Sequence, residues 1–145
     1  RVLLRHNMTE ERLPVQIVEG VVSAHSGTAF LNESGIGYNV RIARGEEAER
    51  STAVPAQSIS FLMQQNGWTY IDFIKMDVEG AEQFILTENN DWLQHTRAIL
   101  LEIHPPFTIE QLFAAVSPFG FNIVATAHDA IWYAVKGDEE WPPTL

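Results

Sequence analysis

Apolar residues run through this chain in two textures, and the changes between them mark its elements. Val2 to Asn7 carries helical spacing, a helix end, and Glu10 to Pro14 is the polar connection behind it. Pro14 to Ser23, PVQIVEGVVS, is β-branched and apolar and predicts a strand. Thr28 to Leu31 is a short strand candidate after the Ser26-Gly27 turn. Asn32 to Arg50 is polar, holds Gly35, Gly37 and Gly45, keeps no period, and reads as loop with a brief hairpin. Ser58 is an N-cap for a helix through Gln65 that Asn66-Gly67 ends.

The second texture is denser. Ile71 to Met76 and Ala98 to Ile103 are apolar almost throughout, which predicts strands covered on both faces. Helical pieces at Gly80 to Leu86 and Asp91 to Gln94 separate them. Pro105-Pro106 stops the second strand, and Thr108 caps a helix from Ile109 to Val116 that gathers Ile109, Leu112, Phe113 and Val116 on one face. Phe121 to Thr126 and Ile131 to Val135 predict an antiparallel ending, and Asp138 to Leu145 is an acidic, proline-containing tail. Strands alternating with helices predict an α/β fold with a predominantly parallel sheet, whose ligands gather beyond the carboxyl ends of the strands.

Composition narrows the function. The 145 residues are 46% apolar and 19% charged, enough for one domain with a core. Nine Lys plus Arg against nineteen Asp plus Glu give a net charge of -10, which argues against nucleic acid as a partner. With no cysteine there is no disulfide, thiolate metal site or thiol nucleophile, and a reducing, cytoplasmic setting fits. No run is long enough for a membrane span.

The densest chemistry lies in IDFIKMDVEGAE, Ile71 to Glu82, where Lys75, Asp77, Glu79 and Glu82 surround a strand-to-helix turn. Carboxylates there either orient a hydroxyl, hold a metal or act as a base, or simply cap the helix, with Glu82 facing its first-turn donors. Gly80 permits a tight turn, and Lys75 either pairs with Asp77 or Glu102 or reaches substrate. In LEIHPP, Leu101 to Pro106, Glu102 and His104 point the same way. His104 is either a base whose tautomer a neighbouring carboxylate fixes, or a strand-end residue bonded to backbone. With Asp77 or Glu79 it offers metal donors at an unspecific spacing, so no metal is assigned. SGIGYN, Ser34 to Asn39, lacks the strand and helix of a nucleotide loop, and no nucleophile elbow surrounds Ser58 or Ser117. His6, His25, His95 and His128 are scattered, and the tryptophans do not alternate with basic residues.

IDFIKMDVEGAE followed by the strand LLEIH resembles the FkbM family of S-adenosylmethionine-dependent methyltransferases, over Leu4 to Val135. The resemblance implies a Rossmann-like sheet ordered 3-2-1-4-5-7-6 and an O-methyltransferase acting on a hydroxyl of a sugar or natural product, by in-line attack of oxygen on the sulfonium methyl. It places Asp77 at the catalytic centre and the cofactor, Glu79 and His104 as further catalytic residues, and Lys75, Glu82 and Glu102 as substrate contacts or supports. The first strand with its glycine-rich loop, and the second with its ribose-holding acid, have no counterpart in this sequence. Residues 1–137 are therefore read as a partial domain followed by the tail 138–145, with cofactor binding by this chain alone weak or absent. Unpaired sheet edges left by those strands predict a homo-oligomer. The alternative of a different class is a non-catalytic association module with a degenerate methyltransferase fold.

Overall fold

Eight strands, in two four-stranded sheets, organise the described part of the chain. The computed structural model describes residues 15–32, 41–42 and 52–137; the helix end at Val2 to Asn7, the connection to Pro14, most of Asn32 to Arg50 and the tail lie outside them. The first sheet contains β1 (Val21–Val22), β2 (Gly27–Asn32), β3 (Arg41–Ile42) and β4 (Thr52–Gln57), in the order β1-β4-β2-β3. The second contains β5 (Ile71–Met76), β6 (Thr96–Glu102), β7 (Phe121–Ala125) and β8 (Ile131–Lys136), in the order β5-β6-β8-β7.

This corrects the expected single, predominantly parallel sheet. Among the described residues only β1 with β4 and β5 with β6 pair in parallel, and the other four of six pairings are antiparallel. Connection length accounts for part of the difference, since a parallel pair needs a long crossover and a short return makes antiparallel neighbours. The link from β7 to β8 is such a return, whereas α2 (Glu82–Thr87) and a 3-10 turn (Asp91–His95) provide the crossover from β5 to β6. The order β5-β6-β8-β7 has the neighbours of the last four positions in the order 3-2-1-4-5-7-6.

Two strands depart from their sequence signals. Within the described residues 15–23 the expected strand Pro14 to Ser23 is limited to Val21–Val22, preceded by Gly20 at φ +136, where a Cβ would stand 2.5 Å from the Pro55 carbonyl oxygen. The strand β4 carries Pro55 opposite Thr28. A proline donates no ladder hydrogen bond, which is why TAVPAQ does not read as a strand. Elsewhere the local chemistry acts as its residues suggest. Helix α1 (Ile59–Asn66) starts where Ser58 accepts from the Phe61 amide at 3.2 Å and ends on Gly67 at φ 64. In α3 (Ile109–Val116), Thr108 and Gln111 form a reciprocal capping box.

The core sits on the second sheet. Ile85 and Leu86 of α2, Leu93, Ile99 and Leu101 of β6, and Leu112 and Val116 of α3 are all buried, with Ile59 and Met63 of α1 extending the cluster. Strand β6 is enclosed as expected, but β5 is not: Phe73 remains 43% exposed. Among the described residues β5 pairs only with β6, and it borders a cavity of about 700 Å³ lined by Val15, Gln16 and Val22 together with Ile71, Phe73 and Ile74.

Candidate active site

The parallel register of β5 and β6 sets Met76 beside Leu101. The residues beyond, Asp77 on one strand and Glu102 and His104 on the other, therefore emerge at one carboxyl-terminal edge. After Met76, which is buried, the chain must reverse into α2. It does so with Glu79 at φ 50 and Gly80 at φ 95. Gly80 adopts that conformation freely, as its sequence position suggests, whereas Glu79 bears a cost of about 1 kcal/mol for it. The turn carries Glu79 Oε2 to 3.6 Å from Nε2 of His104.

The other nitrogen of His104 is tied more firmly. Nδ1 lies 2.7 Å from Oε1 of Glu82, whose side chain is fully buried. An ionised carboxylate only accepts, so Nδ1 carries the proton and Nε2 is left facing the site. Burial of the ring opposes its charged form. The hydrogen bond to Glu82 and the charges of Glu82, Glu79 and Glu102 outweigh that opposition and raise the His104 pKa above 6.5. Glu82 does not serve the helix start: α2 has Ala81 at its N-cap and no side-chain cap, and the carboxylate turns inward to the histidine. The second Glu82 oxygen, Oε2, has no hydrogen-bond partner among the described residues.

Lys75 pairs with Asp77, its Nζ 3.1 Å from Oδ2. Both side chains are open to water, so the pair adds little stability and serves to steer the carboxylate. Donor atoms of Asp77, Glu102 and His104 all lie within 4.8 Å of one another. Thus Lys75, Asp77, Glu79, Glu82, Glu102 and His104 all converge on the one edge. The Glu82 to His104 contact spans 22 residues, and only the parallel pairing of β5 with β6 brings its ends together.

The methyltransferase FkbM domain matches residues 7–134 of the sequence. The chain belongs to the FkbM methyltransferase family. No curated protein and no solved structure matches it. The family is associated with S-adenosylmethionine, and the FkbM turn borders a recess suited to parts of that molecule. The recess, about 320 Å³, is lined by Gly20, Val21, Val22 and Leu31 of the first sheet and by Asp77, Val78 and Glu79. Its carboxylates suit the positive ammonium and sulfonium groups, and its valines and leucine suit an apolar ring.

Other FkbM-chain features lie apart from this edge. His25 Nε2 lies 3.3 Å from Glu88 Oε2 at the exposed surface, Trp92 is buried in the core, and Trp68 is exposed beside the large cavity. Lys136 donates to the carbonyls of Leu93 and Gln94 at 2.6 and 2.8 Å, closing the 3-10 turn. No helix among the described residues is long and apolar enough to cross a membrane.

Proposed function

We propose that the Asp77 edge is the methyl-transfer centre of an S-adenosylmethionine-dependent O-methyltransferase acting on a hydroxyl of a small molecule, a sugar or natural product. The observation that carries this reading is the convergence of Asp77, Glu79 and the Glu82-anchored His104 beside the recess, in a chain of a methyltransferase family. The bound donor supplies an electrophilic methyl group. Asp77 and Glu79 line the recess and hold its positive charge. His104 meets the acceptor hydroxyl through Nε2, either taking its proton or holding its oxygen, while Glu82 fixes the ring and stabilises its charged form. Glu102 and Lys75 set the charge and position of their neighbours.

Calorimetry with S-adenosylmethionine, on this chain and on the protein at its natural length, tests the reading. Binding at natural length that Asp77→Asn weakens at least tenfold is the expected result. Absence of binding in both forms contradicts it. That outcome favours the second reading, a non-catalytic association module, for which the open side of β5 and the exposed Trp68, Tyr70 and Phe73 speak. In that reading the chain is a homo-oligomer, and sedimentation shows a concentration-dependent mass.

A further inference from the structure

We propose that Asp77, Glu102 and His104 form a binding site for a divalent transition-metal cation of the Mn²⁺ class. Three features of the geometry point there. First, the donor atoms of the three residues lie within 4.8 Å of one another. Ligands on an ion at about 2.1 to 2.2 Å stand roughly 3 Å apart when adjacent and about 4.4 Å when opposite, so the three donors draw closer together as the ion binds. Two carboxylates and one imidazole suit Mn²⁺ or its neighbours better than Ca²⁺.

Second, the histidine is already held as a ligand is held. A metal-bound imidazole ordinarily gives its other N–H to a carboxylate, which fixes the ring and strengthens the donor nitrogen. Glu82 does this for His104 from a fully buried position, at 2.7 Å from Nδ1, and Nε2, which has Glu79 Oε2 at 3.6 Å, is the nitrogen left for the ion. Third, the Glu82 carboxylate that holds the ring is not itself fully satisfied. Its Oε2 has no partner among the described residues, and a buried carboxylate so placed is stabilised by positive charge nearby. Four carboxylates, Asp77, Glu79, Glu82 and Glu102, gather at this edge beside Lys75, and a cation bound at Nε2 in place of a proton adds positive charge among them.

Three protein donors leave an octahedral ion with open positions for oxygen ligands. Resting on the methyl-transfer reading, those positions would take the acceptor's hydroxyl; with the ion bound, Nε2 is a ligand, and the ion, in place of His104 as a direct base, would lower the hydroxyl pKa. Ion binding itself does not depend on that reading.

The test is titration of the metal-free chain with Mn²⁺ alone, followed by loss of the free-ion electron paramagnetic resonance signal. The expected result is one ion per chain, bound more tightly than about 1 mM. Glu102→Gln and His104→Gln each weaken binding at least tenfold, and His25→Gln, in the distant Glu88 pair, leaves it unchanged. An unquenched signal up to 1 mM, or Glu102→Gln and His104→Gln titrating like the wild type, overturns the proposal. The wild-type titration decides even if a variant fails to fold. Mn²⁺ binding without donor binding in calorimetry keeps the ion site and removes the methyl-transfer reading. Donor binding without Mn²⁺ binding does the reverse.

Discussion

Strands β5 and β6 have nearly the same apolar texture, yet they live in different surroundings. β6 is flanked by β5 and β8, and Ala98, Ile99 and Leu101 are fully buried. β5, paired only with β6 among the described residues, keeps Phe73 43% exposed and borders the large cavity. Texture records what a strand can bury, and neighbours determine what it does bury.

The largest test of this contrast is truncation in β6. Leu101→Ala removes a fully buried side chain and should cost about 3 to 4 kcal/mol in urea unfolding. Next is the first sheet, where Gly20→Ala forces a Cβ to 2.5 Å from the Pro55 carbonyl in a conformation that alanine rarely adopts. A loss of about 2 kcal/mol is expected, measured the same way. Phe73→Ala in β5 should cost only about 1 kcal/mol. A cost equal to that of Leu101→Ala would show β5 to be as enclosed as β6 and would break the comparison.

The smallest effect is on pH. His104 has its pKa raised in the folded chain, so the folded state binds the proton more readily than the unfolded one. The stability this provides is fully present below pH 6.5 and is lost as pH rises through the raised value. Unfolding of the metal-free chain should therefore show a decline across that window, and Glu82→Gln should flatten it. An unchanged slope in the variant would mean that Glu82 does not govern the ring.

Local chemistry was legible in the residues themselves. Ser58, Gly67 and the Thr108–Gln111 pair act at the helix ends where their types and spacing place them, and the dense runs become β5 and β6. The same alternation of strand and helix suggested a mostly parallel sheet, and it failed where short links and the hairpin strands β2 and β3 impose antiparallel pairing. Pro55 hid β4, and the close approach of Gly20 to Pro55 before β1 was not visible, because both effects depend on a partner strand that no local pattern names. At the site, the motif drew attention to Asp77, Glu79, Glu102 and His104. The inward turn of Glu82 was not visible, since a glutamate at a helix start ordinarily faces its exposed donors and nothing in the sequence announces a histidine 22 residues away.

On the proposed function, the methyl donor and acceptor meet at the edge where β5 and β6 release the chain. Hydrogen exchange of the protein at its natural length, with and without S-adenosylmethionine, tests it most directly. Slowed exchange across Met76 to Ala81 and in Val21–Val22, with nearby slowing around His104, is the result expected. Slowed exchange elsewhere, with those segments unchanged, would contradict it.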